Sequence, residues 1–397
     1  MGYVERKAAI TFGYPSTITY LFRLYDLLLR ACSCMMTPLF LALILCFFSF
    51  GLLADQLTIK HEIAMPKTLD AKVSYLGYSP NGGALLLSSF VRREAFVIAS
   101  DGSLKTLVLT PAIDEQRMAY TDEALYFFAG LQLYKLLGNG ELLSISQAEP
   151  ALGYDLDVSR SGRYVLSGNY ELLSINSLDA AARMLNVSGV QPSDDFNMEY
   201  EVLSMQREVS TWLSDKTLLR VWKLADAQTI NDIEVRGKVR THIILNEAES
   251  IIAYIVGDTV RFWNYKTSTL LKQQLEFGND ISLGKWNSKV WLLSGKTLYR
   301  IVWEGNSATA QKVYQSNADE IIDTFSRHNF SSDGKYAVLT ERKGEEFDTA
   351  LYQQDRDRQF VKLSELTFGP GRLSLHPTKR ELAYFSYDDN TLRIYGF

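Results

Sequence analysis

From about residue 55 onward the chain repeats one design: apolar runs of five to eight residues with period-two patterning, separated by tight polar turns. Period two requires β-strands, and a unit of four such runs cannot bury its own faces without like neighbours. The first unit reads VSYLGYSP, ALLLSSF, EAFVIAS, LKTLVLT; the second RMAYTD, ALYFFAG, LQLYKLL, ELLSISQ; the third YDLDVSRSG, RYVLSGN, YELLSINS, ARMLNVSG. In the fourth, an acidic insertion, QPSDDFNMEYE, precedes VSTWLS, TLLRVWKL and INDIEVRG. The fifth reads THIILNEAE, SIIAYIVG, TVRFWNYK, LLKQQLEF; the sixth ISLGKWN, KVWLLSG, TLYRIVWE, AQKVYQS; the seventh TFSRHNFSSDG, KYAVLTER, DTALYQQD, RQFVKLSE. The eighth, residues 372–397, has only three runs.

The turn after the first run of each unit falls near Gly82, Asp122, Gly162, Asp215, Ala248, Asn287, Gly334 and Lys379, about 42 residues apart on average. That period with four strands per unit is the pattern of a β-propeller. The expected fold is all-β, an eight-bladed β-propeller over residues 55–397, or seven-bladed if the irregular fourth unit merges with a neighbour. An open array would leave strand edges and unburied faces, so the ring must close. The run LTIKHEIA at 57–64 alternates Leu57, Ile59 and Ile63 on one side and is expected to supply the missing fourth strand of the last unit.

Residues 1–36 read as a cytoplasmic or mis-started extension, since Met35 and Met36 are both candidate starts. Residues 37–54 contain PLFLALILCFFSFGLLA, an uncharged run with bases before it and Asp55 after it. Its length lies between a signal-peptide core and a full membrane span, so a cleaved signal peptide and an uncleaved anchor both remain open, with a buried core helix as the third reading. The flanking charges put the body outside the cytoplasm, periplasmic or otherwise extracytoplasmic, secreted or anchored to an inner membrane. All three cysteines, Cys32, Cys34 and Cys46, precede residue 55, which leaves the body without a disulfide or a thiolate metal site.

Four stretches stand out: SRSGRYVLSG at 159–168, VGDTVRFWN at 256–264, HNFSSDGKYAVL at 328–339 and HPTKRELAYFSYDDNTLRIY at 376–395. On these the body is similar to WD-repeat and related β-propellers, of a degenerate, bacterial exported kind akin to TolB-like and quinoprotein-like propellers. The resemblance implies the fold. It departs from the family's pattern in having no Gly-His pair, and in carrying Trp222-Lys223, Trp263-Asn264 and Tyr395-Gly396 where the family has Trp-Asp.

Sites are harder to find. Trp222, Trp263 and Trp303 recur at one position of third strands, which points to packing between units, as for Trp212, Trp286 and Trp291. His242, His328 and His376 fall in first strands, which line a propeller's channel, while His61 sits in the closing strand. They occupy different heights with no carboxylate at a fixed offset, so no metal is assigned. There is no C-x-x-C-H, no G-x-S-x-G and no Gly-rich phosphate loop, and no catalytic residue or cofactor is assigned. Net charge is −5 without a basic block, which argues against nucleic acid. Asn186 and Asn329 head glycosylation-type triplets.

Two acidic segments are candidate partner surfaces. Asp194, Asp195, Glu199 and Glu201 lie in the insertion of the fourth unit. Glu345, Glu346, Asp348, Asp355 and Asp357 lie in the seventh, interleaved with Arg342, Lys343, Arg356 and Arg358. The expected function is a monomeric, non-catalytic scaffold binding a protein or envelope partner, with membrane contact through 37–54 if uncleaved. A lactonase-like hydrolase with a channel site, and an intracellular WD-type scaffold, are the alternatives.

Overall fold

The computed structural model describes residues 57–397 except 66–72, 90–93, 100–101, 109–117, 122, 130–131, 138–140, 146–155, 169–172, 178–183, 187–194, 210–213, 227, 279, 287–288 and 323–328. The expectations for the N-terminal extension, the 37–54 segment and its cysteines, and those for Asp194, Trp212 and His328, lie outside the described residues. Among the described residues no helix is long and apolar enough to cross a membrane.

The described strands form eight four-stranded antiparallel sheets. Sheet 1 is Val73–Tyr78, Ala84–Ser89, Glu94–Ala99 and Leu104–Val108. Sheets 2, 3, 5 and 6 span 118–144, 156–186, 239–276 and 281–315. Sheet 7 is Glu320–Ile322, Tyr336–Lys343, Glu346–Gln354 and Phe360–Glu365. Its first strand precedes the expected run TFSRHNFSSDG, whose described part, 329–334, makes an isolated bridge between Phe330 and Ala337.

Sheet 4 corrects the sequence reading. The supposed acidic insertion contains the first strand, Asp195–Met198, and EVLSMQRE supplies the second, Val202–Glu208. Lys216–Lys223 and Thr229–Arg236 follow as third and fourth. The first strand is therefore not VSTWLS, most of which lies outside the described residues, and the turn marker belongs at Tyr200 rather than Asp215.

Alternate residues of one strand serve two different sheets, as a period of two requires. In the second strand of sheet 1, Leu85 and Leu87 pack towards sheet 8, while Ala84 and Leu86 pack against Leu125 and Phe127 of sheet 2. The pattern continues: Tyr126 meets Val165 of sheet 3, Leu166 meets Leu203 of sheet 4, and Val221 meets Ile252 of sheet 5. Phe262 then shares a cluster with Leu292 of sheet 6, Trp291 with Leu339 of sheet 7, and Leu351 with Leu382 of sheet 8. The last cluster joins Phe385 and Leu392 of sheet 8 to Leu76 of sheet 1. Strands buried on both faces read as continuous apolar runs such as ALLL. This serial packing of four-stranded sheets is β-propeller architecture.

Sheet 8 has the order Thr58–Ala64, Thr391–Gly396, Glu381–Ser386, Gly371–Leu375. The strand expected from 57–64 thus occupies the fourth place, paired from Thr58↔Gly396 to Ala64↔Thr391 with an irregularity between Ile59 and His61. His61 is exposed on it. Leu57 packs beside Leu375 and Leu382, and Met65 packs beside Phe385 and Leu392.

The turn between first and second strands repeats Ser-x-x-Gly. Ser79, Ser159 and Ser331 each accept a backbone N–H five residues on, from Ala84, Tyr164 and Tyr336, at 2.9–3.1 Å. In sheet 8, His376 takes this place. Its ring lies so close to Gly82 of sheet 1 that a Cβ there would meet Cε1 at 2.1 Å. Gly82 also has φ +75°, so sterics and backbone both require glycine.

Candidate functional site

The charged groups of greatest interest converge at the end of the sheets where first strands turn into second strands. Glu199 follows the first strand of sheet 4 and is 4% exposed. Its carboxylate lies 2.6 Å from Lys285 Nζ, on the first strand of sheet 6, and 3.6 Å from Arg160 Nη1, in the first turn of sheet 3. Sheets 3, 4 and 6 are not all neighbours, so one side chain can join them only where the first strands converge. Lys285 Nζ also donates to the carbonyl of Ile244 in sheet 5. Glu247 completes the group by accepting the backbone N–H of Tyr200 at 3.0 Å and of Glu201 at 2.8 Å.

Burial acts on Glu247 and Lys285. It pushes the Glu247 carboxyl above its usual range, against the two N–H groups that stabilise its charge. It draws the Lys285 ammonium below its usual range, while the Glu199 carboxylate beside it acts in the opposite sense. A buried charge pair with its remaining donors satisfied fixes geometry more than it adds stability. Arg160 also sits 5.5 Å over the ring of Tyr200, which is 39% exposed at the rim of the cluster.

Deeper in the same seam, His242 of sheet 5 bonds through Nδ1 to Gln206 Oε1 at 3.2 Å and through Nε2 to Ser204 Oγ at 3.1 Å. The order Ser–His–Gln has the topology of a nucleophile, its base and an orienting group. Its surroundings do not suit that role: Ser204 is 1% and His242 4% exposed, and Ser204 Oγ also reaches the carbonyl of Asn197 at 3.1 Å. Asn197 Oδ1 in turn accepts the N–H of Ile244 at 2.9 Å. The set acts as a polar lock between sheets 4 and 5.

His376 forms a second lock, between sheets 8 and 1. Nε2–H donates to the carbonyl of Gly82 at 3.0 Å, and Nδ1 accepts from Thr378 and Lys379 N–H at 3.1 and 2.9 Å. The neutral ring uses both nitrogens, so a second proton would break two acceptor bonds. Burial, the largest influence on each, lowers the pKa of His242 and of His376 to about 4.

Acid should therefore loosen both seams. The unfolded chain binds these protons more readily than the folded one, so stability is complete above about pH 6.5 and declines as pH falls towards 4. His242 alone should account for about 2 kcal/mol by pH 5. Urea midpoints measured from pH 7 to pH 5 should fall, and His376→Asn should flatten part of the slope. An equal slope in the wild type and in both His242→Gln and His376→Asn would contradict the assignment.

The described residues among those singled out in the sequence take separate places. Asp195 begins a strand opposite Gln206, and Glu199 is buried rather than displayed on a projecting insertion. Glu345 and Glu346 sit at the turn between the second and third strands of sheet 7. Arg356 and Arg358 sit at the turn after the third strand, Glu346–Gln354, which is nine residues long. Roughly 30 Å of strand separates the two turns, on opposite ends of the sheet. Trp222, Trp263 and Trp291 are fully buried packing residues, as expected, whereas Trp303 is only partly buried and donates Nε1–H to Glu249 at 2.5 Å. Among the described residues no three His, Cys, Asp or Glu side chains are grouped to hold a metal, and His242 and His376 lie in different seams.

No family model and no curated protein matches the sequence. Solved structures of similar shape include the Swd1 β-propeller domain of Myceliophteria thermophila, at 8% identity over 86% of this chain and 100% of that one, TM-score 0.46. The Dos1 propeller matches at 16% identity over 70% and 78%, TM-score 0.48. A putative 6-phosphogluconolactonase of Bacteroides fragilis matches at 16% identity over 68% and 85%, TM-score 0.42. At these identities a likeness concerns architecture only, and the propeller assignment rests on the sheets and seams described above.

Proposed function

We propose that this chain is an eight-bladed β-propeller, closed by its N-terminal strand, that acts outside the cytoplasm as a non-catalytic platform for a protein or envelope partner. Eight four-stranded sheets and eight shared apolar clusters support the blade count. The observation that carries the functional reading is the use of buried ionisable groups as ties between sheets: Glu199 joins sheets 3, 4 and 6, and His376 joins sheets 8 and 1. Groups fixed in this way hold a rigid frame, and recognition then falls to the loops and hairpin tips that the frame presents. The hydrophobic segment at 37–54 would export or tether it.

The test is affinity capture with a tagged full-length chain from cells cross-linked before lysis, paired with protease treatment of intact cells. A discrete partner retained after stringent washing, with the body cleaved from outside, is the expected result. Protection of the body in intact cells together with a cytosolic partner would replace this reading with an intracellular scaffold. Turnover of a small substrate without any partner would replace it with an enzyme.

A further inference from the structure

The hairpin formed by the second and third strands of sheet 7 differs from the others. Its strands are eight and nine residues long, whereas every other second strand has five to seven. They stay in register to Lys343↔Glu346, across a two-residue turn in which Gly344 has φ +63°. Residues 342–348 are all exposed, so neither adjoining sheet covers this end. Phe347 is 62% exposed, more than any other large apolar side chain among the described residues. Across the hairpin Phe347 stands opposite Arg342, which is engaged by Glu320 at 2.6 Å, while Glu346 and Asp348 lie on the other face, Lys343 pairs with Glu346, and Glu345 sits at the turn.

At the opposite end of the adjacent sheet 8 lies a cleft of about 340 Å³, formed by residues 379–381, Gly396, Phe397 and the strand bearing Thr58 and Lys60. Lys60, Lys379 and Arg380 line it against the single carboxylate of Glu381. Its groups are positioned in advance. Lys60 is held by Glu381 at 2.9 Å, and Arg380 stacks over the rings of Phe397 at 5.6 Å and Tyr336 at 5.9 Å. Gly396 leaves room for the Lys60 stem, since a Cβ there would meet Cε at 2.3 Å.

We infer that these two features form a contact between copies: the acidic tip of one molecule docks in the basic cleft of the next. Phe347 would lie on the wall of Phe397 and Arg380, with Glu345 at the turn and Glu346 on the hairpin's other face meeting Lys379 and Lys60 across the cleft. An exposed aromatic anchor within a charged rim is the arrangement of an interaction hot spot. With Arg342 paired to Glu320, the three carboxylates outnumber Lys343 at the tip, which disfavours an anionic membrane as its target. A second copy carries the complement, a basic cleft with an aromatic wall. Because tip and cleft point from opposite ends of neighbouring sheets, no molecule can fill its own cleft. The contact is head-to-tail and leaves a free tip at one end of the assembly and a free cleft at the other. A seven-residue tip buries less than the roughly 1,000 Å² of a stable interface, so the contact is weak in dilute solution and stronger where copies share a surface.

Sedimentation of the full-length protein over a wide concentration range tests this. The weight-average mass should rise with concentration, and less so at high salt. Phe347→Ala should lower the association constant about tenfold or more. Glu345→Lys with Glu346→Lys should abolish association, as should Lys379→Glu. Mixing those two charge-reversed proteins should restore association between them, which also reports that both are folded. A constant mass at every concentration, or association unmoved by these substitutions, would overturn the inference. Neither result bears on whether the platform has a separate partner.

Discussion

Deleting residues 55–66 should lower the melting temperature by roughly 10 °C or more. The strand removed is hardly buried along its length: only Ile63 is shielded between Thr58 and Ala64. Its two ends do more. Leu57 enters the apolar cluster between sheets 7 and 8, and Met65, 5% exposed, enters the one between sheets 8 and 1. Met65, almost fully buried, contributes about 1.5–3 kcal/mol, and half-buried Leu57 less. Met65 also exchanges bonds with Asn390, its N–H to the Asn390 carbonyl and its carbonyl to Asn390 Nδ2, both at 3.1 Å. The exposed pairs Lys60–Glu381 and Arg393–Glu62 add at most about 1 kcal/mol each. Loss of the strand also strips Thr391–Gly396 of a paired edge and opens a template for aggregation. Calorimetry of the deletion variant measures the effect, and a synthetic peptide of residues 55–67 added in trans should recover part of it. An unchanged melting curve would mean that the other sheets close without this strand.

That closure was legible in the sequence because it depends on counting. Strands buried on both faces leave uninterrupted apolar runs, and a last unit with three runs requires a fourth from elsewhere. Sheet 4 escaped the same reading for a physical reason. Its first two strands carry buried Ser204 and half-buried Asn197 and Gln206, which bond His242 and the backbone of Ile244. Residues chosen for a polar lock erase the apolar period that announces a strand, so DFNM read as an insertion. The charge cluster left a fainter signal. Arg160, Glu199, Glu247 and Lys285 are each about one repeat apart, which places them at one height in successive sheets. Nearness in sequence misled in sheet 7, where Glu346 and Arg356 are separated by a whole strand.

Glu199→Ala should destabilise the protein by about 3–5 kcal/mol, because it strands Lys285 and Arg160 without their shared partner. Their side chains are 12% and 15% exposed, too little for water to take over the carboxylate's role. The loss should be smaller in Glu199→Gln, which keeps two acceptor lone pairs near Lys285 Nζ. It should also be smaller in a double variant, Glu199→Met with Lys285→Met, which removes the two closest charges together. The pH dependence separates an orphaned charge from a simple packing defect. Burial already draws Lys285 below the ordinary lysine value, and removing Glu199 removes a group that holds it up. In Glu199→Ala the folded state therefore sheds this proton more readily than the unfolded state, and the deficit should narrow as pH rises towards the ordinary lysine range. Chemical denaturation at pH 7 and pH 9 measures both effects. If Glu199→Ala costs no more than the exposed control Glu201→Ala, the cluster is not a tie between sheets, and its convergent charges would be available for a ligand at the mouth of the first strands.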